Sequence, residues 1–282
     1  MAAQAIGLNL AYINWTVLVA LSVGAFGTAV LLRMRTPATK GFLGFTATSA
    51  LLLGLLAFLS DVNLPAAPGD SPVAADAAFD PVRRGALAGY LVAVAVTTWI
   101  LYRARRVERV GLLGVGLALA VLVLAALTWG GPFPGLGPVV LLVQLLLLSA
   151  ATGGVFAAMI LGHWYLVTPK LPEAPLILLS RILMAVVAAQ LVFFVACVGL
   201  GISAPDLDLD PLEALVGPQA LFVWLRLVIG LVFPLVVSWM ALQTTRTRSM
   251  ESSTGLHYIN VGVISAGTIV AAGLYFGAGL FV

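Results

Sequence analysis

Charged side chains are scarce in these 282 residues: Asp, Glu, Lys and Arg together make up 9%, against about 25% in soluble domains. Any soluble fold must cover itself with polar groups, so this scarcity excludes one. Cysteine occurs once, as Cys197 inside an apolar run. A single cysteine excludes an internal disulfide and any multi-cysteine zinc or iron–sulfur site within the chain. There is no nucleotide-binding glycine loop, no His-Glu-x-x-His pair and no Gly-x-Ser-x-Gly elbow. The basic connections between apolar runs, those expected on the cytoplasmic side, are too short to hold a soluble catalytic site.

Hydrophobic residues, in contrast, make up 62% of the chain, with a mean hydropathy of +1.13. The solvent for most of this surface must be lipid. A spanning helix needs about 20 mostly apolar residues, and eight segments qualify: 11–34, 41–60, 84–103, 109–129, 138–167, 174–201, 218–244 and 253–280. The runs are continuous rather than alternating, which excludes barrel strands. The fold class is therefore all-α, a polytopic membrane protein of about eight transmembrane helices. The first run has no Lys or Arg ahead of it and continues to Leu32, so it reads as a retained helix rather than a cleaved signal.

A pI near 9.3 suggests a nucleic-acid binder only until the basic residues are located. They fall in short clusters between apolar runs: Arg33, Arg35 and Lys40; Arg103, Arg105, Arg106 and Arg109; Lys170; Arg246 and Arg248. Eight alternating spans put all of these on one side, opposite the acidic 61–82 and 202–217 connections. The positive-inside rule makes the basic side cytoplasmic in the cell membrane and places both termini outside. Arg83 and Arg84 dissent from that rule. The 61–82 connection, rich in Pro, Ala, Gly and Asp, reads as flexible or flat-lying. The DLDLDP run offers oxygen donors but lacks the glycine turn and twelfth-position glutamate of an EF-hand, so it reads as a solvated acidic loop.

A weak duplication is also visible. LSVGAFGTAVLLRM in the first run aligns with LSAATGGVFAAMIL in the fifth, and each is followed by a short basic turn and another apolar run. The chain then divides into two four-helix halves, 1–130 and 138–282, in the manner of a parallel transporter repeat.

Ionisable groups inside a bilayer are costly, and each is a functional candidate. The spans are expected to hold His163, His257, Arg181 and Arg226, and no Asp or Glu well inside, so a carboxylate proton relay is not expected. Both histidines fall roughly 6–10 Å below the cytoplasmic face by the rise per residue. Matching depth suits a bis-histidine haem b, with His163 and His257 as the metal ligands. It also suits a quinone bound through one histidine and Arg181. Ala150, Gly154, Ala158 and Gly162 repeat every four residues and leave a smooth face ending beside His163, while Trp164, Tyr165 and Tyr258 flank the histidines. The same residues have plainer roles: small-residue stripes serve close helix packing, Trp164 and Tyr165 suit an interfacial belt, and Arg181 can snorkel to the interface. Arg226 lies too deep to snorkel and should find carbonyls, a ligand anion or a carboxylate such as Glu213. Gln144 and Gln190 are expected near mid-depth, bonding between helices.

Three functions fit these residues. The leading expectation is a membrane subunit of an electron-transfer complex holding haem b or a quinone. The alternatives are a small-solute permease, resting on the repeat and on Arg226 and Arg181 as anion partners, and a structural or assembly subunit. The expected partners are membrane lipids and other membrane subunits, not nucleic acid.

Overall fold

The computed structural model describes residues 2–69, 71–103, 108–132, 135–204 and 211–282. Each apolar run is one helix long and apolar enough to cross a membrane. These are α1 (Leu10–Arg35), α2 (Lys40–Val62), α3 (Asp80–Tyr102), α4 (Glu108–Trp129), α5 (Leu136–Val167), α6 (Ala174–Gly199), α7 (Ala220–Arg246) and α8 (Met250–Ala278). A short helix, Ala2–Leu8, precedes α1 and packs on α8. No strand occurs among the described residues. An isolated bridge between Ser203 and Leu280 closes the carboxyl end against the α6–α7 connection.

Helix is the form these runs must take in lipid, because it satisfies every backbone group within the segment. Hydroxyls that fall inside the spans bond back to their own helix. Thr16, Thr97, Thr98 and Thr128 each donate to the carbonyl four residues earlier, which removes an otherwise exposed donor. Outward-facing positions are apolar, as at Leu55, Val92, Leu113, Val192 and Trp239, and form the lipid-contacting surface.

The helices close into two rings. α1 packs on α2, α2 on α3, α3 on α4 and α4 on α1; α5 packs on α6, α6 on α7, α7 on α8 and α8 on α5. The rings meet along α1 and α5, flanked by α4 against α5 and α8 against α1. At the seam the two backbones touch: a Cβ on Gly24 would fall 1.8 Å from the Ser149 carbonyl oxygen, and one on Gly153 would fall 2.3 Å from the Ala25 nitrogen. Gly153 thus makes the tight contact, one position away from the small-residue stripe seen in the sequence.

The 61–82 connection differs from a loose loop in two ways. α2 runs on through Val62, so Asp61 belongs to a span and is 0% exposed. This carries the second run past its expected end at residue 60 and makes a residue of the expected loop part of the last turn of α2. The rest of the connection is tied down: Tyr12 donates to the Pro65 carbonyl, Asn9 to the Gly69 carbonyl, and the Asp76 amide to the Thr128 carbonyl. Asp70 and the acidic run at 205–210 lie outside the described residues.

Candidate functional site

Among the described residues each ring encloses one buried arginine, and the two are treated differently. Arg83, in the first turn of α3, is 1% exposed. Its Nε and Nη2 reach the two Asp61 oxygens at 3.0 and 3.3 Å, and its Nη1 reaches Asp80 at 2.6 Å and the Thr128 hydroxyl at 3.1 Å. The guanidinium stacks 4.5 Å from the Trp129 ring centre, with Trp15 at 5.7 Å. Arg84 completes the cluster through Nε to Asp61 at 2.9 Å. The two arginines that dissent from the charge rule are therefore balanced by carboxylates.

Arg226, near the corresponding end of α7, is 2% exposed and has no carboxylate partner among the described residues. Its Nη2 donates to Gln190 Oε1 of α6 at 2.7 Å and its Nη1 to the Gly230 carbonyl at 3.4 Å, while Nε has no partner. Gln190 is held by its own amide, which donates to the Leu147 carbonyl of α5 at 2.9 Å. Glu213, a candidate partner from the sequence, is exposed.

The backbone explains why Arg226 reaches Gly230. Pro234 has no N–H, so the Gly230 carbonyl four residues earlier loses its ordinary helical donor. α7 widens into a π-helical segment over Val228–Val232 and resumes as α-helix at Phe233, and Nη1 lies 3.4 Å from the Gly230 carbonyl. Interruptions of this type concentrate at functional sites. On the facing helix, Gly267 lets the chain approach: a Cβ there would meet Gly230 Cα at 2.7 Å and Arg226 Nη1 at 3.0 Å.

A second polar layer lies in the same ring, toward the basic connections. Ser180 Oγ of α6 is 3.2 Å from His257 Nε2 of α8. The Asn260 amide donates to Ser238 Oγ of α7 at 3.0 Å, and the Thr245 and Ser253 hydroxyls pair at 2.6 Å. His257 and Asn260 are each 0% exposed, and His257 Nδ1 and Asn260 Oδ1 have no partner. Between this layer and Arg226 sits an apolar cluster of Ala151, Val155, Leu183, Val187 and Ile264. On the Arg226 side of that cluster, Thr152 and Thr268 share a hydrogen bond of 2.7 Å. Gln144 is buried at the same interface and lines a space of about 10 Å³ beside Thr16 and Tyr275.

The residues expected around a shared haem or quinone divide between inside and outside. Gly162 packs on Thr254, which puts His163 level with the first turns of α8. The His163 side chain is nevertheless exposed, whereas His257 is enclosed against Ser180. Arg181 and Tyr258 are exposed. Trp164 covers Gly41 and leans on Phe45 of α2, and Tyr165 bonds the Pro172 carbonyl. The sequence reads depth but not rotation, and one position around α5 separates Gly162, which faces α8, from His163. Among the described residues, no group of three or more His, Cys, Asp or Glu side chains gathers as a metal site.

The stripe on α5 is likewise divided. Ala158 and Gly162 are packed, while Ala150 and Gly154 line an apolar cavity of about 220 Å³ with Gly24, Gly27, Leu122 and Ile182. Asp61 and Asn260 were missed as candidates. Asp61 lies at the junction of an apolar run and a Pro/Ala loop. Asn260, three residues beyond His257, was open to detection by helical spacing.

Comparison with known protein families finds no model that matches the chain, and comparison with curated proteins finds no match.

Proposed function

We propose that the chain is a permease for a small anionic solute, working through the α5–α8 ring with Arg226 as the anion contact. In this reading it lies in the cell membrane, with the basic connections cytoplasmic and both termini outside. The observation that carries it is the buried guanidinium of Arg226, matched among the described residues by an amide and a long carbonyl contact at 3.4 Å. An unpaired charge held away from water costs several kcal/mol. The same chain neutralises Arg83 with two carboxylates, so leaving Arg226 to Gln190 is a distinguishing feature of the second ring. A carboxylate or oxyanion supplies the missing charge and fits a planar guanidinium through two parallel hydrogen bonds.

Two further features support the reading. Arg226 adjoins irregular backbone at π-helical Val228–Val232, and transporter sites are commonly built at such interruptions. The matching order of neighbours in the two rings fits the duplication expected from the sequence, an arrangement in which sites form within or between repeats.

Uptake by proteoliposomes tests the reading with a panel of labelled chloride, nitrate, sulfate and succinate. At least one anion is expected to enter, with the rate falling more than tenfold in Arg226→Gln and unchanged in the exposed Arg246→Gln. Equal uptake by Arg226→Gln and the parent protein for every anion defeats the proposal. The electron-transfer reading rests on the level placement of the two histidines. It takes precedence if the purified protein carries a Soret band that His257→Ala abolishes.

A further inference from the structure

Beside the contact of Gly24 with Gly153, the seam of the two rings opens into the apolar cavity of about 220 Å³. Its floor is α1 and α5, and its walls are α4 and α6. Those two walls do not pack on each other, so the cavity opens between them to lipid, past exposed Leu119 and half-buried Ile182. It follows α1 from Val23 to Leu31, a length of about 12 Å by the rise per residue, deep within the hydrocarbon. An apolar cavity of about 150 Å³ is enough to hold a benzene ring. None of the side chains lining this one is charged, so it suits a neutral ligand and not the anion assigned to Arg226.

Two of the lining residues carry hydroxyls, Thr28 on α1 and Ser149 on α5, and both are at least nine-tenths buried. Thr16, Thr97 and Thr98 bond back to their own helices, but among the described residues neither the Thr28 nor the Ser149 hydroxyl has a hydrogen bond. They stand at different levels of the slot. Thr28 Oγ1 is 3.9 Å from where a Cβ on Gly154 would be, and Ser149 precedes Gly154 on α5 by about 7.5 Å at the helical rise. Two hydroxyls share one oxygen only within about 5.6 Å, at about 2.8 Å for each bond. The pair therefore addresses two acceptors at opposite ends of one ligand. Water does not meet the need, because at either level it finds one hydroxyl, where a buried water makes about three hydrogen bonds.

A neutral ring with an acceptor at each end, and an apolar tail left in the bilayer, meets all of these conditions. We propose that the seam cavity binds the head of a lipid-soluble para-quinone. Ser149 donates to one carbonyl and Thr28 to the other, while the tail passes between α4 and α6. Gly27 and Gly154 give the ring its room: a Cβ on Gly27 would meet nothing within 4 Å, and one on Gly154 only the Thr28 hydroxyl. The site is separate from both histidines and from Arg226, and it does not rest on the permease reading.

The test uses the full-length protein in nanodiscs, with decylplastoquinone as probe and decylbenzene as its counterpart with ring and tail but no carbonyls. Partition between protein-loaded and protein-free nanodiscs measures binding. Decylplastoquinone is expected to saturate a single site, and decylbenzene to bind at least about tenfold more weakly. Ser149→Ala and Thr28→Val should each weaken quinone binding about three- to tenfold, the loss of one hydrogen bond, and Gly27→Leu, which fills the slot, should abolish it. In the infrared, both carbonyl stretches of the bound quinone are expected below their position in lipid, and each hydroxyl variant should return one of them. Equal binding of the two probes, or unshifted carbonyls, overturns the proposal and leaves the cavity to a bilayer chain. Quinone binding unchanged in all three variants overturns it as well.

Discussion

Gly230 of α7 and Gly267 of α8 meet backbone to backbone: a Cβ on Gly267 would lie 2.7 Å from Gly230 Cα, and one on Gly230 would lie 2.8 Å from Gly267 Cα. The contact fixes the spacing of the two helices beside Arg226 and leaves no room for a methyl group. Gly267→Ala is expected to lower stability by about 1–3 kcal/mol, the usual range for overpacking, measured as reduced resistance to denaturation in detergent. Gly255→Ala on the same helix meets nothing within 4 Å and should be neutral or slightly stabilising, since alanine is the better helix former.

The two buried arginines should respond in opposite ways. Asp61→Asn leaves Arg83 with Asp80 as its remaining carboxylate and is expected to destabilise the fold by about 3–5 kcal/mol, as when one partner of a buried ion pair is removed. Arg226→Leu removes a charge that has no carboxylate partner among the described residues, so stability should hold or rise while anion uptake is lost. A drop in thermal midpoint for Arg226→Leu as large as that for Asp61→Asn would show that Arg226 serves packing instead.

Adjacent glycines on α5 should also differ. Gly153→Ala places a Cβ 2.3 Å from the Ala25 nitrogen, whereas Gly154 has only the Thr28 hydroxyl near, at 3.9 Å, and borders the apolar cavity. Gly153→Ala is expected to abolish stable expression by separating the rings. Gly154→Ala should be tolerated, with a thermal midpoint equal to or above the parent.

Sidedness is checked by single cysteines at Ser71 and Arg246, with the buried Cys197 replaced by alanine. In intact cells an impermeant thiol reagent should label position 71 and not position 246, and inside-out vesicles should reverse the pattern. Labelling of both from one side contradicts the proposed orientation.

The eight helices were legible because bilayer thickness imposes a length on every apolar run, and each boundary came out within about a turn. Rotation about the helix axis was not legible. These spans are apolar on nearly all sides, so no polar face announces which residues turn inward. That is why His163 and His257 read as a pair, although one is exposed and the other enclosed. Arg226 was legible as an inward group because its depth left no other choice, but its partner Gln190 lies 36 residues away and only the packing of α6 on α7 brings them together. Asp61 was hidden by its position at the end of a run. Its burial depends on Arg83 and Arg84, whose charge had looked like an anomaly of topology.

The pairing of Asp61 with Arg83 has a consequence for biosynthesis. The two residues are 22 positions apart, on consecutive helices joined by a connection already bound to the end of α1. Asp61 leaves the ribosome first and Arg83 follows before α4 exists, so the two charges can meet while α2 and α3 are still leaving the insertion machinery. A hairpin closed at that stage would enter the hydrocarbon with its two ions already paired.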